Sequence, residues 1–450
     1  MMSKGKTLLN WIDERFPLSS SIKEHLTEYY APKNFNFWYF FGSLALLVLV
    51  MQIITGIFLT MSYKPDASLV PGTSVSVAFA SVEYIMRDVG GGWIIRYMHS
   101  TGASMFFVVV YLHMFRGLIY GSYKQPRELL WLFGMLIFLC LMAEAFLGYL
   151  LPWGQMSFWG AQVIVNLFSS IPVIGPDLSV FIRGDFVVSD ATLNRFFALH
   201  VIAVPLVLLA LVVAHILALH EVGSNNPDGI EIKNNKDPVT HIPRDGIPFH
   251  PYYTVKDILG VAVFLIVFSA IVFFAPDMGG YFLEANNFIP ADPLKTPPHI
   301  APVWYFTPFY AILRAVPSFL NTQVWGVLAM GAAVVVLFLL PWLDRSPIKS
   351  VRYRGPVFKV MLALFVVAFI GLGVLGALPT TNVRTVVAQI LSVIYFAFFL
   401  GMPIYTRYDK GSVPVPVPER VTESTLKRKV TFLVLVLVVI AGAVAFATTI

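Results

Sequence analysis

Four histidines lie inside long apolar stretches of this chain, and their spacing is its first chemical signal. His99 and His113 are fourteen residues apart; His200 and His215 are fifteen apart. At about 100° per residue, fourteen residues fall about 40° short of four turns and fifteen overshoot by about 60°. Each pair therefore occupies broadly one helix face. The rise within each pair is about 21–22 Å, most of the hydrocarbon thickness of a bilayer. One apolar crossing separates the two helices, so they run in the same direction. His99 then lies level with His200, and His113 with His215. Two facing pairs of neutral imidazoles suit axial ligation of two hemes, one above the other. Zinc or copper would call for Cys, Asp or Glu at the same depth, and the reading places none beside these histidines. A single intramembrane histidine reads equally as a hydrogen-bonded packing residue; the matched spacings favour ligation.

The neighbouring helices carry signals of the same period. Gly42 and Gly56, and Gly134 and Gly148, repeat the spacing of fourteen. Close helix packing explains small residues of this kind, but the shared period predicts clearance for two stacked macrocycles. Arg96 and Arg116 flank His99 and His113 by three residues. They are placed to neutralise heme propionates near the membrane faces, a role compatible with simple snorkelling.

The elements that must hold these groups follow from composition. Of 450 residues, 57% are hydrophobic and 12% charged, about half the charged fraction of a soluble domain. A soluble enzyme, a disordered protein and a disulfide scaffold are excluded. The lone Cys140 sits in an apolar run and excludes disulfides within the chain and Cys-type metal sites. Apolar runs at about 37–62, 94–118, 130–150, 197–219, 257–275, 323–342, 358–378, 386–405 and 431–448 predict nine crossings. With the N-terminus inside, the inner segments hold 22 Lys and Arg and the outer ones 8. That imbalance predicts a cytoplasmic N-terminus and assigns the net charge of +6 to membrane sorting, not to nucleic acid. Residues 1–36, with Trp11, Ile12, Phe16, Ile22 and Leu26 among charges, read as an amphipathic surface segment. The outer connections 151–195 and 276–322 are too long to be plain loops and are expected to function or to carry helices. Residues 411–420, rich in Pro and Val, read as a semi-rigid tether before the last crossing.

At these residues the sequence resembles cytochrome b of the quinol–cytochrome c oxidoreductases. The resemblance runs from about residue 8 to 405 and rests on long strings: RYMHSTGASMFF at 96–107, GYLLPWGQMSFWGA at 148–161, RFFALH at 195–200, HEVGSNNPDG at 220–229, PFHPYYTVKDILG at 248–260 and TPPHIAPVWYF at 296–306. It implies an all-α integral membrane protein with an eight-helix bundle, here with a ninth C-terminal helix. The implied parts are a four-helix diheme bundle over 37–219, a cytoplasmic linker over 220–256 and a four-helix part over 257–405. It also implies two non-covalent b hemes, an outer pocket oxidising quinol and an inner site reducing quinone, coupled to proton translocation. The outer walls correspond to Tyr149, Gly154 and Gly160 and to Pro302, Val303, Trp304 and Tyr305. The inner site corresponds to His220, Ser224, Lys256 and Asp257.

Two departures matter. The family usually has Glu where this chain has Val303, a residue often assigned to accept a quinol proton. Glu144, in an apolar helix five residues before Tyr149, is the expected substitute, with a buried structural carboxyl as the equal alternative. The spacing of fifteen between His200 and His215 exceeds the mitochondrial fourteen, and a bulge near Pro205 is expected to absorb it. The linker 228–247 is expected to form a polar surface excursion.

The chain has no Cys set for an iron–sulfur cluster and no CxxCH motif. The resemblance therefore implies separate partners: a Rieske iron–sulfur protein and a membrane-anchored c-type cytochrome, in a dimeric complex of a bacterial inner membrane. A diheme membrane anchor of a dehydrogenase and a transporter are the rival readings. The anchor has no need of the 276–322 loop; in a transporter the intramembrane polar residues would line a substrate path, and a spectrum showing two b-type hemes would eliminate it.

Overall fold

Hydrocarbon offers a backbone no hydrogen-bond partner, so a chain of apolar runs satisfies its own amides in helices. The computed structural model of the protein describes residues 4–23, 28–319 and 322–412 and is all-α apart from one short ribbon. Among the described residues, seven helices are long and apolar enough to cross a membrane: Phe37–Thr60, Gly92–Tyr120, Glu128–Leu150, Asp190–Val222, Phe249–Phe274, Pro356–Ala377 and Asn382–Leu400. An eighth apolar helix, Val324–Phe338, has 15 residues. That is about 22 Å, short of the hydrocarbon thickness. The expected run 323–342 is interrupted after Phe338, and a separate turn, Leu340–Leu343, carries Pro341. Counting Val324–Phe338 as the sixth, these are called the first to eighth spans. The expected crossing at 431–448 and residues 413–420 of the tether lie outside the described residues, as does Leu26.

Two boundaries differ from expectation, each for a local reason. The fifth span, Phe249–Phe274, starts ahead of 257: past a non-helical His250 the helix already takes in the polar, aromatic segment before its apolar run. The fourth begins at Asp190, where the Ser189 N–H donates to the Thr192 hydroxyl at 3.1 Å and sets the first turn. Within it, Leu199–Ala203 widens into a π turn just ahead of Pro205. Proline has no N–H to offer the Val201 carbonyl, and the wider turn absorbs the extra residue between His200 and His215.

The first span packs along the second, the third along the fourth, and the fifth against the first two. The seventh packs on the eighth and on Thr307–Ala315, a short helix of the 276–322 connection. The 151–195 connection carries Gln155–Ser169 and Gly175–Arg183. Apolar side chains such as Leu206, Ile266 and Val393 stay exposed on the outer surface of the helices, as lipid-facing positions require. The N-terminal segment holds the helices Lys4–Asp13 and Leu18–Ile22, with Trp11, Phe16 and Ile22 exposed. Strand Tyr30–Pro32 then pairs antiparallel with Gly246–Pro248.

The end bearing His113 and His215 is termed inner, the opposite end outer. Buried ion pairs tie the inner end together. Asp344 accepts from Arg354 and from the Tyr123 hydroxyl at 2.6 Å, with Lys124 Nζ at 2.9 Å. Glu231 binds Arg127 through both oxygens, at 2.6 and 2.8 Å, and also meets Lys349. Asp228 accepts from Asn34 at 2.6 Å, Tyr353 at 2.9 Å and Arg352 at 3.0 Å. The linker 228–247 is anchored at Asp228, Ile232 and Asp245, which are buried, while residues 233–236 and 238–242 between them are exposed. Just ahead of it Asn225 and Asn226 are also buried, and Asn225 donates to the Tyr120 carbonyl at 2.6 Å.

Candidate functional site

The second and fourth spans bring the histidines together as two pairs at two depths. The His99 and His200 rings have centroids 6.2 Å apart and planes at 87°. Those of His113 and His215 are 6.4 Å apart at 63°. Two metal–nitrogen bonds of roughly 2 Å, together with the two ring radii, make up about this separation, so one iron fits between each pair. Among the described residues, no group of three or more His, Cys, Asp or Glu gathers as a closed metal cage would require. The donor sets suit a porphyrin iron, which takes two axial ligands from the protein.

The two outer imidazoles are held through Nδ1. His99 Nδ1 lies 3.0 Å from the Thr55 hydroxyl, and His200 Nδ1 lies 3.0 Å from both the Glu144 carbonyl and its Oε1. Engaging Nδ1 in this way fixes the ring and leaves Nε2 for the partner side. The four glycines serve these same rings. A Cβ on Gly42, Gly56 or Gly134 would stand 3.3 Å from the Cε1 of His113, His99 or His215, and one on Gly148 would collide with the His200 ring. The clearance expected for the macrocycles is thus, in the first place, clearance for the imidazoles. Arg116 lies over the Tyr39 ring at 4.9 Å, with one nitrogen 3.4 Å from His113 Nδ1. Its Nε is buried with no partner among the described residues, an orphaned donor that an anionic heme substituent would satisfy. Arg96 stands beside His99.

Glu144 is where expectation and structure part. Its carboxylate meets His200, so an acid does stand beside a histidine, and it does not line the outer pocket. Glu144 and Gly148 are one turn apart and share the face toward the fourth span, whereas Tyr149 lies about 140° around the helix from Glu144.

A small outer pocket opens between the end of the third span, Gln155–Ser169 and the 301–306 turn. Tyr149, Gly160, Pro302, Val303 and Phe306 contribute walls. Trp304 and Tyr305 do not: they fasten the turn to the second span. The Trp304 N–H donates to Ser104 at 3.2 Å, and Tyr305 stacks on Phe107 at 3.9 Å. The 284–292 segment is pinned beside the pocket. Gln155 N donates to the Ile289 carbonyl at 2.9 Å, and Ser157 N to Asn287 Oδ1 at 2.8 Å. Gly154 is required there, because a Cβ would strike Asn287. This docking delivers Glu284, which the sequence reading missed, to accept from the Tyr149 hydroxyl at 2.6 Å. Burial pushes the Glu284 carboxyl above its ordinary range, opposed in part by that hydrogen bond.

At the inner end, His220 and Ser224 are joined by Tyr29, also missed. Its ring stacks on His220 at 4.9 Å and its hydroxyl shares a 3.0 Å hydrogen bond with Ser224. Lys256 stands 5.1 Å over the Tyr253 ring, and Asp257 faces Ser43 of the first span. The strand at Tyr30–Pro32 links the two groups: the Tyr253 hydroxyl donates to the Pro32 carbonyl, and Phe249 N to the Tyr29 carbonyl.

The family model described as "Cytochrome b/b6/petB" matches residues 26–223, and "Cytochrome b(C-terminal)/b6/petD" matches 290–396. A curated "Cytochrome b" of Allochromatium vinosum is 64% identical over 425 residues, covering 94% of this chain and all of that one. The chain belongs to the cytochrome b family. Another relative, the "Cytochrome b" of Rhodospirillum rubrum, is 51% identical, with 91% of this chain and 95% of that one covered. Among solved structures, a chain of a hyperthermophilic respiratory Complex III matches at TM-score 0.80 and 40% identity, over 89% of this chain and 99% of its own. Both family segments are carried on one polypeptide, the arrangement of a respiratory bc-type cytochrome b.

Proposed function

We propose that this chain is the core of a quinol–cytochrome c reductase, oxidising quinol at the outer pocket and reducing quinone at the inner site in a proton-translocating Q cycle. The observation that carries the reading is the stacking of two facing imidazole pairs between an outer pocket and an inner polar cluster. His99 with His200, and His113 with His215, hold one b heme each. Two such hemes supply one-electron carriage between the two depths.

The remaining work belongs to side chains. Pro302, Val303 and Phe306 give the quinol ring an apolar berth from which water is excluded, and Tyr149 presents the polar atom that orients the quinol oxygen. At the inner end, quinone takes up protons from cytoplasmic water, with His220, Ser224 and Asp257 as the exchangeable groups and Lys256 as a neighbouring cation. Glu144 positions His200 and does not serve the pocket. A Rieske iron–sulfur protein and a membrane-anchored c-type cytochrome complete the high-potential branch in a dimeric complex. The N-terminus faces the cytoplasm of a bacterial inner membrane.

The test is a reduced-minus-oxidised spectrum of the purified complex together with its quinol–cytochrome c reductase activity. Two b hemes and separate block by inhibitors of each quinone site are expected. One heme, or activity insensitive to one inhibitor class, would overturn the reading.

A further inference from the structure

The outer pocket has one hydroxyl that leads away from it. Apart from Tyr149, the one side-chain hydroxyl on its lining is that of Ser157, which is spent on the Tyr149 carbonyl at 2.6 Å. Val303 is buried in the wall and cannot take a proton. The Tyr149 hydroxyl donates to Glu284 Oε2 at 2.6 Å, and Glu284 stands behind Tyr149, outside the lining. Glu284 begins the turn Ala285–Phe288, and the two residues after it, Ala285 and Asn286, are exposed.

We propose that Glu284 is the proton acceptor of the outer pocket, acting through the Tyr149 hydroxyl in place of the carboxylate that Val303 lacks. The proposal rests on the quinol-oxidising reading of the pocket. As the quinol O–H bond breaks, its proton passes to Tyr149 Oη, while the proton already on Oη passes to Glu284 Oε2. One O–H bond is lost on quinol and one is gained on Glu284, leaving tyrosine unchanged. The accompanying electron leaves to a one-electron acceptor of the complex. Glu284, next to the exposed Ala285 and Asn286, then discharges its proton to water.

The surroundings suit an acceptor. The titratable groups facing Glu284 are Tyr149 at the end of the third span and Tyr305 in the 301–306 turn. Among the described residues no Lys or Arg pairs with it, so no fixed cation holds the carboxyl ionised. Burial raises its affinity for a proton, which brings it closer to the working pH of a general base. Glu284 does not itself line the pocket; it is a positioning and relay residue behind Tyr149.

The test uses the intact complex and compares Glu284→Gln with Glu284→Asp, each with heme content read spectroscopically. The wild-type rate is expected to fall at acid pH as Glu284 protonates. In Glu284→Gln, kcat is expected to drop about 100-fold, with that acid limb gone and both hemes present. Glu284→Asp is expected to keep the limb and most of the rate. Wild-type rate and pH profile in the Gln variant would overturn the proposal, as would equal losses in the Gln and Asp variants, which mark a packing role. A wild-type complex with no inhibitor-sensitive quinol oxidation would instead sink the functional reading beneath it.

Discussion

At the inner end Asp344, Glu231 and Asp228 are each held by a guanidinium, and the first two by a lysine as well. At the outer end Glu284 rests against a phenol, and Glu144 against an imidazole. A buried carboxylate surrounded by cations is fixed in one protonation state and serves to join segments. One left beside neutral groups keeps its freedom to exchange a proton or to tune its neighbour. The difference separates a structural clamp from a reaction site within one bundle, without appeal to residue type.

The comparison breaks most visibly if the inner acids are removable. Asp344→Ala leaves Arg354 and Lys124 buried without their counter-charge. Losing one partner of a buried pair costs about 3–5 kcal/mol, so a large fall in the thermal unfolding midpoint of the purified complex is expected. Glu284→Gln should shift the same midpoint little, within about 0.5 kcal/mol of wild type. Equal destabilisation by the two variants would erase the distinction.

The two heme levels offer a sharper contrast. An added methyl at Gly148 collides with the His200 ring, whereas at Gly134 it meets His215 Cε1 at 3.3 Å, a gap that small adjustments accommodate. Gly148→Ala is expected to lose the outer heme and Gly134→Ala to keep the inner one. Heme-to-protein absorbance ratios decide this, and loss at both levels would show that the glycines are equivalent.

Acid separates the ends again. Burial alone would raise Asp344 and Glu231, but Arg354 and Arg127 with their hydrogen bonds hold both below the ordinary carboxylate range. A depressed carboxyl stabilises the fold above its unfolded-state pKa of about 4, and that stabilisation fades as pH falls through the lower folded values. Thermal stability should therefore hold down to about pH 4. Quinol oxidation should fail at higher pH, because Glu284 is shifted upward. A single pH at which activity and stability fall together would contradict the contrast.

What was legible in the sequence was whatever helical periodicity carries. His99 and His113 lie on one helix and are locked to one face by their spacing, and the four glycines share the period because they touch the same rings. Even the π turn was signalled, by fifteen residues and a proline. Glu144 read equally as a proton acceptor and as a structural carboxyl, because its rise brings it near Tyr149 while five residues also turn the helix by about 140° and aim it at the fourth span. Glu284 and Tyr29 were invisible for another reason. Each lies in irregular backbone and reaches its partner through a long-range docking, 135 residues from Tyr149 in one case and 195 from Ser224 in the other. No local pattern encodes that.

The smallest expected effect belongs to Glu144. A carboxylate accepting from a ligand's Nδ1–H makes the imidazole a stronger donor and favours the oxidised metal. Glu144→Gln weakens that bond but keeps its shape, and the Glu144 carbonyl still engages His200 Nδ1. The outer heme potential is expected to rise by on the order of 50 mV, near the 59 mV of a tenfold change in relative affinity for a one-electron couple. The inner potential should stay put, and the pH profile of quinol oxidation should keep its acid limb. Redox titration with the two hemes resolved spectrally reads both at once. If the Gln variant instead lost the acid limb with both potentials unmoved, Glu144 and not Glu284 would be the acid that serves the pocket. The outer end would then hold one working carboxylate, placed on the wrong face of its helix for the cavity seen in this structure.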